Sequence, residues 1–205
     1  MTKDFEMKGN LMMCTYRRVD LRNPAQGGAS LIVVMLILIV VSVLGIGSAQ
    51  IALMSERGAR NDRDQQVAWQ AAEAALMDAE FDMRGARANV FDGNSATAFL
   101  SGCGTSGNSI GLCTTGVTGK QAWLAADFTA TDSGAATTQY GTFTGRPFAA
   151  GTPGVQPAKP PRYVIELVPD PVGDMSNPTY LYRVTTMGFG PRADIQAVLQ
   201  MLYRI

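Results

Sequence analysis

From Ala29 to Met54 the chain carries no ionisable side chain, and no other feature constrains its fold as strongly. The core of this interval reads ASLIVVMLILIVVSVLGIG. As a helix, its 26 residues extend roughly 39 Å at about 1.5 Å per residue. That is enough to cross the hydrocarbon core of a bilayer, which takes about 20 apolar residues. A buried helix in a water-soluble core is rarely so long or so uniform. Arg17, Arg18 and Arg22 stand just before the interval. Their charge predicts a cytoplasmic N-terminus, with the rest of the chain carried across the membrane.

The helical pattern continues beyond the apolar block. The segment SERGARNDRDQQVAWQAAEAALMDAEFDMR is dominated by Ala, Gln, Glu, Leu, Met and Arg, all good helix formers. Trp69, Ala72, Leu76, Ala79 and Met83 recur every three or four residues and predict one apolar stripe, with Glu73, Asp78 and Arg84 outside it. No proline interrupts the chain between Ala29 and Arg84. Gly45, Gly47 and Gly58 weaken a helix locally without ending it. The simplest reading is one helix, membrane-embedded over residues 29–54, with an amphipathic continuation assigned to residues 55–90.

Residues 91–161 are rich in Gly, Ser, Thr and Ala and show little periodicity. They predict a variable, loop-rich region with a short helix around Lys120 to Ala126, ending in the turn-forming linker GTPGVQPAKPP. Residues 162–205 hold three strand-like runs: Arg162–Val168, Tyr180–Met187 and Asp194–Arg204. In the first, Tyr163, Ile165 and Leu167 share one face, and Val164, Glu166 and Val168 the other. The third is compatible with a helix by composition, but its alternation and its neighbours argue for a strand. Turn residues separate the runs, which predicts an antiparallel meander. Glu166 and Arg183 then fall on neighbouring strands, where a cross-strand pair contributes about 0.2–1 kcal/mol. The expected fold class is α+β: a long N-terminal helix packed on a small C-terminal antiparallel sheet.

The chain contains no histidine. That removes the commonest general acid/base and metal ligand, and with it Ser-His and Cys-His nucleophile systems. Cys14, Cys103 and Cys113 are too scattered for a zinc site. No cofactor, metal or enzymatic activity is expected. The charge is balanced, 17 basic against 17 acidic residues, and aromatic residues are not interleaved with a basic patch. No direct nucleic-acid partner is therefore expected. Cys103 and Cys113 enclose a short loop; in an oxidising compartment they favour a disulfide, contributing roughly 2–3 kcal/mol by the entropic argument.

The junction before the apolar block carries a resemblance. A basic, polar leader runs into Gln26-Gly27-Gly28, followed by Ala29-Ser30-Leu31 and the apolar helix. This resembles a class III, prepilin-type signal, in which a membrane peptidase cuts after the glycine and methylates the new N-terminus. The resemblance implies cleavage after Gly28 and a mature, N-methylated start at Ala29. The run ERGARNDRDQQVAWQAAEAALMDAE and the ending RVTTMGFGPRADIQAVLQMLYR are similar to the corresponding parts of PilX-type minor pilins of type IV pili. Ordinary signal cleavage before Gln50 and an uncleaved signal anchor stay open as alternatives. The segment ahead of Met12 and Met13 sums to zero charge over Lys3, Asp4, Glu6 and Lys8, so initiation at either methionine is expected to leave insertion unchanged.

One position departs from the family pattern. Shaft-building pilins usually carry a glutamate at the fifth mature residue, which is Val33 here. The resemblance implies that this absence suits a subunit without a neighbour on one side, at a priming or tip complex. It also implies the partners: other minor pilins, the major pilin, the prepilin peptidase and the inner-membrane assembly platform. The implied location is the inner membrane, single-pass, with the C-terminal domain periplasmic and later part of the pilus. A type II secretion minor pseudopilin and a signal-anchored periplasmic binding protein are the alternative functions.

Overall fold

The computed structural model describes residues 29–115, 120–152, 154–172 and 179–204. Gly28 and the expected leader lie outside the described residues, as does the side chain of Ala29. The chain forms two units, one ending at Ala52 and the other starting at Leu53. The first helix, α1, runs from Ala29 to Arg84 over 56 residues. No proline occurs in it, and good helix formers fill its second half.

In the second unit the remaining elements are β1 (Leu112–Thr114), the one-turn α2 (Ala122–Ala125), β2 (Thr138–Gln139), β3 (Arg162–Pro169), β4 (Tyr180–Phe189) and β5 (Gln196–Tyr203). β3, β4 and β5 form the predicted antiparallel meander, with Ile165 opposite Val184 and Val184 opposite Met201. Alternating β-branched and aromatic residues between turn sequences specify it. The sheet is larger than the expected antiparallel one, and mixed. β1 pairs in parallel with β3, Leu112 opposite Ile165, and β2 pairs antiparallel with its start. Runs of three and two residues are too short for periodicity to reveal, so this contribution from the loop-rich region was not legible. The short helix expected around Lys120 to Ala126 is present as α2.

Both faces of β3 are covered. Tyr163, Ile165 and Leu167 pack with Tyr182, Val184, Leu112, Phe91 and Phe99 against Ala75, Ala79 and Met83 of α1. The Phe91 and Tyr182 rings meet edge to face, 5.1 Å between centroids. On the opposite face Val164 packs with Cys103, Cys113, Ala122 and Phe128. Cys103 and Cys113 form the expected disulfide, which also fills this second core.

Of the predicted stripe on α1, Ala72, Ala79 and Met83 are buried and Leu76 partly so, but the buried face is shifted away from Trp69. Ala68, Ala71, Ala72, Ala75 and Ala79 are buried, whereas Trp69 is 49% exposed and donates its indole N–H to Glu73, 2.8 Å away. Alanines dominate because the helix backbone lies directly on the sheet. A Cβ on Gly188 of β4 would stand 2.1 Å from the Ala68 carbonyl oxygen and 2.3 Å from the Ala72 nitrogen. Thr186 donates its hydroxyl to the Ala72 carbonyl at 3.1 Å beside this crossing. A bulky stripe cannot sit where two backbones touch, so the Trp69 face turns outward.

Candidate assembly interface

The apolar half of α1 has no partner within its own unit. From Leu31 to Met54 its large hydrophobic side chains are 48–72% exposed, Val33 among them at 54%. Ser42 and Ser48 donate their hydroxyls to the carbonyls of Leu38 (2.7 Å) and Leu44 (2.8 Å), so these polar groups are satisfied within the helix. This is the pattern a helix needs in a medium without water. A contiguous apolar surface of this extent is a membrane or protein contact surface. The helix is long and apolar enough to cross a membrane.

Charge returns abruptly in the second unit. Glu56 pairs with Arg60 at 2.6 Å, one helical turn apart, and Arg63 with Asp64 at 2.8 Å. Exposed pairs of this kind add only about 0–1 kcal/mol. Their main effect is to mark where the helix surface becomes compatible with water.

A buried polar knot ties the C-terminal end of α1 to the disulfide loop. Arg87 and Asp82 are fully buried and form an ion pair. Arg87 Nε donates to both Asp82 carboxylate oxygens, at 2.9 and 3.0 Å. Its Nη1 donates to the carbonyls of Asn108 (3.0 Å) and Ile110 (2.7 Å), which lie between the two bonded cysteines. The guanidinium also lies 3.8 Å from the centroid of the Phe143 ring. Tyr163 of β3 donates its hydroxyl to Asp82 at 2.7 Å. Burial, and then the Asp82 charge, hold that phenol above its usual range.

Asp78, expected outside the apolar stripe, is fully buried as well. It accepts the Gly141 N–H at 2.8 Å and the Thr144 hydroxyl. Glu166 is likewise buried; it accepts the Ala122 N–H at 2.9 Å and the Arg183 Nε–H at 2.8 Å. The cross-strand pair is present as expected. With its carboxylate out of water, however, removing Arg183 would cost more than the loss of a surface pair. Sequence reasoning missed the Asp82–Arg87 knot. Its signal was the spacing of Asp78 and Asp82, one turn apart and in line with Ala71 and Ala75.

Val33 therefore belongs to the first unit, and Cys103 and Cys113 to the second. The Gly28–Ala29 junction lies outside the described side chains. Among the described residues, no three His, Cys, Asp or Glu side chains are grouped to hold a metal ion. The family model described as PilX N-terminal matches residues 26–76. The model described as type IV pilus assembly protein PilX C-term matches residues 57–205. No curated protein and no solved structure matches.

Proposed function

The chain belongs to the PilX family of type IV pilus assembly proteins, and on that premise we propose that it is a minor pilin of the priming or tip complex. In this reading residues 1–28 are the leader, the prepilin peptidase cuts after Gly28, and Ala29 becomes the methylated N-terminus. Residues 29–54 hold the subunit in the inner membrane with its N-terminus cytoplasmic. The unit from Leu53 onward waits in the periplasm until the assembly platform extracts it into a pilus, beside other minor pilins and the major pilin. Its role is to build the filament, and no catalytic step is assigned to it.

The observation that carries this reading is the exposed apolar half of α1, uncharged through Val33, attached to a unit that already has its own core. Such a helix has its surface free for lipid first and for neighbouring helices later. A carboxylate at the fifth mature residue would answer the charged N-terminus of a neighbour in the filament core. Val33 makes no such pair, so the subunit is suited to a place with one axial neighbour.

This placement makes a specific prediction. The protein should be scarce in sheared filaments relative to the major pilin, yet its deletion should lower filament number. Val33→Glu should enter shafts more often or assemble less selectively. An unpaired intramembrane carboxylate costs on the order of 2–3 kcal/mol, so membrane levels of the variant must be measured alongside. Immunogold labelling that finds the wild-type protein spaced evenly along native filaments would refute tip placement.

A further inference from the structure

We propose that the cleft at the start of β3 binds a carboxylate carried on a hydroxylated frame, the chemistry of a sugar acid. Its centre is Arg162, whose side chain is buried with only 6% of the residue exposed. Nε donates to the Thr137 hydroxyl at 2.6 Å, Nη2 to the Thr137 carbonyl at 2.6 Å, and Nη1 to the Gln139 amide oxygen at 3.4 Å. All three acceptors are neutral. A guanidinium has five N–H donors in a fixed fork, so two remain for a ligand. The other buried or half-buried arginines of this unit have a carboxylate in contact, Asp82 for Arg87 and Glu166 for Arg183. Arg162 has none within 4 Å among the described residues. A buried guanidinium with no carboxylate in contact is costly, since Asp132 and Asp127 act on it only from a distance, and a bidentate carboxylate is the partner that best matches the fork.

The surroundings select the rest of the ligand. Arg162 forms one wall of a cavity of about 210 Å³, with Asp132, Thr131, Ser133, Gln139 and Thr142 among the other walls. Hydroxyls and an amide are suited to ligand hydroxyls rather than to an apolar body. Asp132 Oδ1 accepts the Gly134 N–H at 3.0 Å, and Oδ2 has no donor among the described residues, so it can accept a ligand hydroxyl. Burial lowers the proton affinity of Arg162, while the charges of Asp132 and then Asp127 raise it. Those same two carboxylates repel a second negative charge, which favours a monoanionic carboxylate over a phosphate dianion.

The test uses the full chain in detergent, titrated with sodium glucuronate, sodium acetate, glucose and inorganic phosphate while thermal unfolding is followed. Glucuronate should raise the melting temperature in a saturable way, with an affinity on the order of tenfold above acetate, the effect of one or two net hydrogen bonds. Glucose and phosphate should produce no shift. Ser133→Asp, an exposed position on the cavity wall, should abolish the glucuronate response, because its carboxylate repels the ligand's and competes for Arg162. Arg162→Lys should weaken the response by removing the fork. Absence of any glucuronate response up to about 50 mM, in the millimolar range of weak sites, would overturn the proposal. So would an undiminished response in Ser133→Asp. An acetate response equal to that of glucuronate would overturn the sugar-acid assignment, and a stronger response to phosphate would overturn the choice of a monoanion.

Discussion

Replacing Gly188 by valine is expected to lower the melting temperature of the sheet-bearing unit by roughly 10 °C. At Gly188 the sheet and α1 meet backbone to backbone, and a Cβ there would stand 2.1 Å from the Ala68 oxygen and 2.3 Å from the Ala72 nitrogen. Neither atom is the movable end of a side chain. Relief therefore requires α1 to move away along the whole row of buried alanines, from Ala68 to Ala79. Overpacking typically costs about 1–3 kcal/mol, and a backbone clash lies at the upper end of that range or beyond it. A loss of about 3 kcal/mol in a domain of this size corresponds to roughly 6–12 °C. The hydrogen bond from Thr186 to the Ala72 carbonyl would be lost in the same movement. Thermal unfolding of the full chain in detergent, followed by near-ultraviolet circular dichroism, reads the effect. A shift of less than about 2 °C, under 1 kcal/mol, would show that the contact is looser than the geometry implies.

The second large effect is expected at Arg87. Substituting methionine keeps much of the volume but removes every donor of the guanidinium. It leaves Asp82 as a buried carboxylate with only Tyr163 to donate to it, strips the Asn108 carbonyl of its donor, and leaves the Ile110 carbonyl with the Thr138 hydroxyl alone. Breaking a buried pair from one side costs about 3–5 kcal/mol. The cost should fall when the partner charge is removed too, so Asp82→Asn/Arg87→Met should be more stable than Arg87→Met alone. Urea unfolding of the two variants measures this coupling. A single-variant loss below about 1 kcal/mol would contradict the account, because losses that small are typical of surface pairs.

Much of this architecture was legible in the residues because strong local patterns and the fold agree. The uncharged block and the proline-free run that follows it define α1, and alternation between turn sequences defines β3, β4 and β5. Two kinds of feature were not legible. The 3–4 spacing places the stripe on Trp69, Ala72, Leu76, Ala79 and Met83, and the buried face includes Ala72, Ala79 and Met83 but not Trp69. The contact at Gly188 selects alanine, so the largest residue faces outward. The loop-rich region also lends β1 and β2 to the sheet and a second core to its outer face, through pairings that are short and distant in sequence. The cysteine pair was legible by its count and spacing. Asp82 and Arg87 were not, because charged residues are expected in water until a partner in space accounts for them.

In the reading we propose, this protein is a prepilin that keeps its apolar helix after maturation. The most direct measurement is the intact mass of the chain expressed with and without prepilin peptidase. With the peptidase, the mature protein should begin at Ala29, having lost residues 1–28 and gained one N-terminal methyl group. Without it, the mass should be that of the uncut chain. Gly28→Val should block the cut, because the residue before the scissile bond must be free of a side chain and of its backbone restriction. A chain left whole in the presence of the peptidase, or one that begins at Gln50, would contradict the account, as would normal cleavage of Gly28→Val.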